Sequence, residues 1–260
     1  VDLAGAVLNL AAGGITAPEG FRWLDAPDPL VMQRAVNLLA ALGATEADGS
    51  LTDVGRRMTA FPLPPRLARL MAAGQDEQCV VELAAIAALM QGEGVAMKGG
   101  LNDNLRDSAD YTDFQAEWRA VEKAVDAGFE AGACTRWGIS ARGAREVWMA
   151  YRQLLSIGSR GKSREMPEPD FTAARPAVVR AMMESFADHV GVRNGVAANT
   201  CRMAGGVGGR LAEGSVVFHG EHFVAAEVAE LSGKAVETRV GRCTLIDPEE
   251  LRAVWPERFS

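Results

Sequence analysis

Arg142, Arg145 and Arg152 lie within a single run, RGAREVWMAYRQLLSI, over 142–157. At 100° per residue they line up with Met149 on one side of a helix, opposite Val147, Ala150, Tyr151, Leu154 and Leu155. A guanidinium stays charged and carries its donors in a planar fork, so a row of three suits the gripping of phosphate oxygens rather than the making or breaking of bonds. Basic residues continue on either side: Arg136 before, Arg160, Lys162 and Arg164 after, and farther on Arg193, Arg202 and Arg210. Trp137 and Trp148 stand nearby to stack on bases, as a single strand requires. The competing use of these arginines is structural, as partners of the acidic residues between Asp103 and Glu130, and one helix has room for both uses.

No catalytic or metal motif survives inspection. Gly161-Lys162-Ser163 ends like a phosphate-binding loop, but Ser156 stands where its first glycine is required and a helix, not a strand, precedes it. The stretch 205–209, GGVGG, lacks Lys-Ser and reads as a flexible barrel loop. Gly138-Ile139-Ser140-Ala141-Arg142 misses the final glycine of a nucleophile elbow. His219 and His222 lie three apart beside Gly220, whereas the zinc-protease pair lies four apart on a helix, so they read as surface histidines. The chain is therefore expected to have no active site, metal or cofactor of its own.

The net charge of −7 excludes a protein that coats nucleic acid through a global field, so any anionic partner must meet a local patch. The charge is unevenly spread. Asp76 to Glu130 holds 12 acidic and 4 basic residues, whereas Ala131 to Arg164 holds 1 acidic and 7 basic, and that change of sign brackets the arginine helix. Cys79, Cys134, Cys201 and Cys243 are far apart without metal-ligand spacing, which fits reduced thiols of a cytoplasmic protein. No apolar run approaches the roughly 20 residues of a membrane span, and no signal peptide is visible. The chain opens without Met and enters an amphipathic pattern at once, which suggests a fragment of something longer.

Several elements must position the arginine helix. Helical spacing over 2–12 ends at Gly13-Gly14; Asp28-Pro29 caps a helix over 30–42; Asp48-Gly49 turns a small hairpin; Thr52 caps a short helix over 53–60. That order predicts a winged helix. Helices follow over 66–73, 78–90 (apolar all round and central) and 111–127, with a polar loop over 91–105. The arginine helix closes this bundle, with Gly158 as its stop. A Gly, Ser, Pro and charge-rich linker leads to a helix over 176–186. Short stretches at 201–203, 215–218, 222–231 and 236–246 then suit a small closed β-barrel, with a last helix after Asp247-Pro248. The fold class expected is multi-domain and mainly α: entry helix plus winged helix over 1–64, helical bundle over 65–158, linker over 159–173, small barrel over 174–260.

Leu38-Leu39, Leu42-Gly43-Ala44, Asp48-Gly49, Leu51-Thr52, Gly55 and Phe61-Pro62-Leu63-Pro64-Pro65-Arg66-Leu67-Ala68 resemble the run that follows the two motor domains of DEAH-box helicases, nearest the bacterial HrpB-type branch. Asp110 to Trp118 and Arg142 to Leu155 resemble that family's ratchet domain. Ala181 to Asn194 resembles the start of its OB-like domain, with Phe186 and His189 in place of the family's Tyr and Arg. The resemblance implies a C-terminal accessory region stacked against RecA-like motor domains. ATP and Mg would belong to those domains, which this chain lacks, and the parent would be an ATP-dependent helicase acting on single-stranded RNA or DNA. It also puts the ratchet helix on the floor of the nucleic-acid channel. Two rivals remain: a platform that docks the motor or a regulator, and a winged-helix binder of duplex DNA, for which the second short helix offers only Arg56 and Arg57.

Overall fold

The computed structural model describes residues 2–159, 167–195, 198–232 and 236–256. Its first part holds α1 (Ala4–Ala12), α2 (Pro29–Ala41) and α3 (Asp53–Met58). Asp28 accepts from the Leu30 amide at 2.7 Å, with Pro29 opening α2, and the Thr52 hydroxyl accepts from the Gly55 amide at 2.9 Å to start α3. The hairpin between them is reduced to one bridge, Thr45 to Leu51. Its turn demands glycine, because Gly49 has φ +82° and a Cβ there would stand 2.2 Å from the Thr16 carbonyl oxygen.

The bundle comprises α4 (Pro65–Asp76), α5 (Val80–Gln91), α6 (Asp113–Asp126), α7 (Ala131–Arg136) and α8 (Ala141–Gly158). Leu83 to Leu89 of α5 are buried without interruption, as an apolar run with no polar face requires. Gly158 is expected just past the end of α8, but it is the helix's last residue and Ser159 is the cap. A Cβ on Gly158 would meet Val80 Cγ1 at 2.6 Å, so the glycine is there to let α5 and α8 approach. α7 was not foreseen. Its six residues are too few to show a period, and it starts because the Glu130 carboxylate accepts from the Gly132 amide at 2.8 Å.

α9 (Arg175–Ser185) packs on α4. Arg66 grips Asp188 with two bonds of 2.8 and 2.7 Å and lies over the Phe186 ring, while Arg69 reaches Glu184 at 2.7 Å. The end of the expected linker is strapped down: the Tyr151 hydroxyl donates to Pro167 O, the Asp170 amide to Glu82, and the Tyr111 hydroxyl to Phe171 O. One apolar core runs from α1 through α9, with Leu8, Leu39, Leu70, Ile86, Phe114, Tyr151 and Met182.

The last part is a closed barrel of β1 (Val190–Arg193), β2 (Thr200–Met203), β3 (Gly208–Leu211), β4 (His222–Ser232) and β5 (Val236–Ile246), in the order β1-β2-β3-β5-β4. All pairings are antiparallel except β3 with β5. Two local expectations fail: 216–219 is a 3₁₀ turn rather than a strand, and the end of the glycine run enters β3. In β5, Val240 and Cys243 both face the barrel core although a strand alternates sides at every residue. Arg242, with φ 50°, offsets the alternation between them while β5 continues, and its own side chain leaves the barrel toward Glu117. α10 (Pro248–Val254) closes the described chain, capped reciprocally by Asp247 and Glu250. No helix of the described residues is long and apolar enough to cross a membrane.

Candidate nucleic-acid interface

The Ser140 hydroxyl caps α8 by accepting from the Gly143 amide at 3.1 Å. Ala144, Val147, Tyr151, Leu154 and Leu155 then face the core, and Arg142, Arg145, Met149 and Arg152 face outward, all four exposed. This is the division the 3.6-residue period predicts. Arg142 pairs only within its own helix, its Nε donating to Glu146 at 2.8 Å, an exposed pair that water competes with. The Arg145 guanidinium lies 4.8 Å from the Phe129 ring centre. Arg152 has no ion-pair or hydrogen-bond partner among the described residues.

Part of the acidic block is committed elsewhere. Asp76 pairs with Arg57, Asp103 with Arg106, Asp110 with Arg119, and Glu117 with Arg242 at 3.2 Å. Those four carboxylates are held by other arginines, while Glu93 still acts electrostatically on Arg142 and Glu130 and Arg136 act on each other, so the structural use of the basic residues is reduced rather than absent. The two tryptophans expected to stack are half-buried and partly engaged within the chain. Trp148 packs with Trp118 and Tyr151, at 6.3 and 5.7 Å between ring centres, and the Lys123 ammonium covers the Trp137 ring at 4.3 Å.

Arg136 ends α7 and is exposed, whereas Arg160 and Lys162 fall outside the described residues. The barrel arginines separate. Arg202 and Arg210 point outward on adjacent strands, and the parallel pairing of β3 with β5 sets Arg210 beside Arg239, which the sequence reading had not counted as a candidate. Arg193 points the other way, is 6% exposed, and lies over the Phe218 ring at 5.8 Å. In the winged helix, Arg56 pairs with Asp53 and Arg57 with Asp76, so the only two base-reading candidates of α3 are engaged.

Between bundle and barrel lies a cleft of about 530 Å³, lined by seven carboxylates, among them Asp107, Asp110, Glu213 and Glu227, against three guanidiniums. Such a lining is unfavourable to an anion. The cleft floor joins the two parts. Asp113 accepts from the Ser215 hydroxyl at 2.9 Å and from the Val216 and Cys243 amides at 2.8 and 2.7 Å. Thr112 and Thr244 share a hydrogen bond of 2.8 Å beside it. Burial pushes the Asp113 carboxyl up despite those three donors, and pushes Glu117 up despite Arg242.

Residues 35–63 match the helicase-associated domain (HA2), winged-helix. The whole chain is similar to E. coli DExH-box NTPase HrpB, whose crystal structure it matches with a TM-score of 0.67 and 23% sequence identity. That match covers 99% of this chain and 26% of HrpB, so the chain spans about a quarter of the length of that protein. The two findings agree: a helicase-associated winged helix within the fold of part of a DExH-box helicase supports the reading of a DEAH-box helicase C-terminal region.

Proposed function

We propose that this helicase-associated chain guides a single strand of RNA or DNA for an ATP-dependent, cytoplasmic DEAH-box helicase, with ATP and Mg bound by RecA-like motor domains. In this reading the bundle over 65–158 is the ratchet domain, the barrel over 174–260 is OB-like, and 159–173 links them after the winged helix over 1–64. The strand lies on Arg142, Arg145 and Arg152, with Arg136, Arg160, Lys162, Arg202 and Arg210 as further phosphate contacts. The observation that carries this is the exposed outer face of α8, on which Arg145 and Arg152 have no carboxylate partner among the described residues and Arg142 has only exposed ones. Contacts of this kind read the backbone, so binding follows charge rather than sequence.

The test is anisotropy of a short labelled single-stranded RNA at increasing salt, with wild type beside the Arg142, Arg145 and Arg152 triple alanine variant. Wild-type affinity falls with salt, and the variant binds more weakly with a slope flatter by about 2, since each single-strand phosphate contact contributes about 0.7. Binding that ignores salt, or survives unchanged in the variant, sinks the proposal.

A second reading, a docking platform for the motor or a regulator, draws on a different observation. Phe21, Leu24 and Leu30 are 38, 100 and 69% exposed around the start of α2. Adding separately produced motor domains checks it: Leu24→Asp with Leu30→Asp weakens their association if this surface docks them.

A further inference from the structure

β1 places Gly191 and Arg193 inward, and the two positions differ in what lies beneath them. A Cβ on Gly191 would meet Phe223 Cζ at 2.7 Å and Met203 Sδ at 2.9 Å, so the barrel interior is full there. Arg193, two residues on and opposite Cys201, therefore ends at the barrel mouth, under Phe218 of the 3₁₀ turn. It is 6% exposed, its Nη1 is enclosed without a hydrogen-bond partner, and no carboxylate among the described residues pairs with it. Glu221, just before β4, offers Arg193 only its backbone, accepting from the Arg193 amide at 3.0 Å. Every other arginine of the bundle–barrel region with comparable burial has its carboxylate: Arg69 has Glu184 and Arg242 has Glu117.

A guanidinium removed from water without a counter-charge is costly, and an anion supplied from outside removes that cost. A guanidinium 5.8 Å from a ring centre makes no hydrogen bond to it, so its donors remain unused and suit phosphate oxygens. Phe218 itself is 38% exposed, so part of its ring surface remains open to a base although Arg193 lies over the ring. We infer that the barrel mouth binds one nucleotide unit of a single strand, its phosphate on Arg193 and its base on Phe218. The inference rests on the nucleic-acid reading above but on different residues, so each can fail alone.

The experiment uses the full 260-residue chain, a short labelled oligouridylate, and the variants Arg193→Met and Phe218→Leu beside the α8 triple alanine. Arg193→Met removes an unpaired buried charge, so it should melt no lower than wild type while oligouridylate affinity falls about ten- to hundredfold, the loss expected for one charged hydrogen-bonding group. Phe218→Leu keeps an apolar cover and should also weaken binding. Wild-type affinity in Arg193→Met overturns the inference, and so does a marked fall in its melting temperature, which would make the arginine structural. Loss in both barrel variants with none in the α8 variant keeps the mouth site and discards the α8 path, and the reverse pattern does the opposite. Uridine monophosphate should compete better than inorganic phosphate; equal competition overturns the stacking half.

Discussion

Arg242 of β5 and Glu117 of α6 meet across the seam between barrel and bundle, Nε to Oε1 at 3.2 Å, both side chains about four-fifths buried. Arg242 reaches Glu117 because its own backbone, at φ 50°, turns it out of the barrel while Val240 and Cys243 both stay in. One residue thus stores backbone strain and closes an interdomain pair. Arg242→Ala keeps the strain and strands Glu117, so we expect a loss of about 2–4 kcal/mol in denaturant unfolding. Arg242→Gly also strands Glu117 but relaxes the backbone, and should cost about 1 kcal/mol less. Equal losses would show that the left-handed conformation is not strained. A loss below about 0.5 kcal/mol in both would remove the pair from the list of things that hold the seam.

Much of this architecture is readable from local chemistry. Asp28-Pro29, Thr52 and Asp247-Pro248 announce helix starts through caps that form as expected, and the α8 face follows from its period. What escaped is what only tertiary pairing decides. Arg239 becomes a neighbour of Arg210 through the one parallel pairing of the barrel, between strands separated by β4. Phe218 comes to lie over Arg193 from 25 residues away in the chain. Trp148 looked available for bases, but its place one residue from the core face of α8 was enough for Trp118 and Tyr151 to take it up.

Gly158 is a sharper case, because local propensity and packing make opposite predictions. At the last residue of α8, Gly158→Ala should by helix propensity alone stabilise by at most about 1 kcal/mol. The added Cβ would stand 2.6 Å from Val80 Cγ1 and 3.3 Å from Met71 Cε, so overpacking wins and we expect a net loss of about 1–3 kcal/mol. Val80→Ala in the same chain opens the space and should recover most of the loss. A Gly158→Ala protein as stable as wild type would mean that α5 and α8 shift apart at little cost.

The junction of α9 with the barrel should weaken in acid in two stages. Burial depresses the His189 imidazole below its usual 6.5, with Asp188 pulling upward and Arg66 pushing further down; its Nδ1 lies 3.1 Å from Ala225 O. A depressed histidine stays neutral when folded while the unfolded chain takes up the proton, so its stability is whole above pH 6.5 and is lost as pH falls through the folded value. Asp188 follows lower down: burial raises it, but the Arg66 fork prevails and holds it below 3.8, so its contribution is present above that value and lost beneath it. Melting temperatures from about pH 7 to about pH 5 isolate the first stage. In His189→Gln, whose amide can still reach Ala225 O, that slope should flatten, whereas Asp188→Asn leaves Arg66 unpaired and should lower stability at neutral pH. An unchanged slope in His189→Gln would assign the titration to another group.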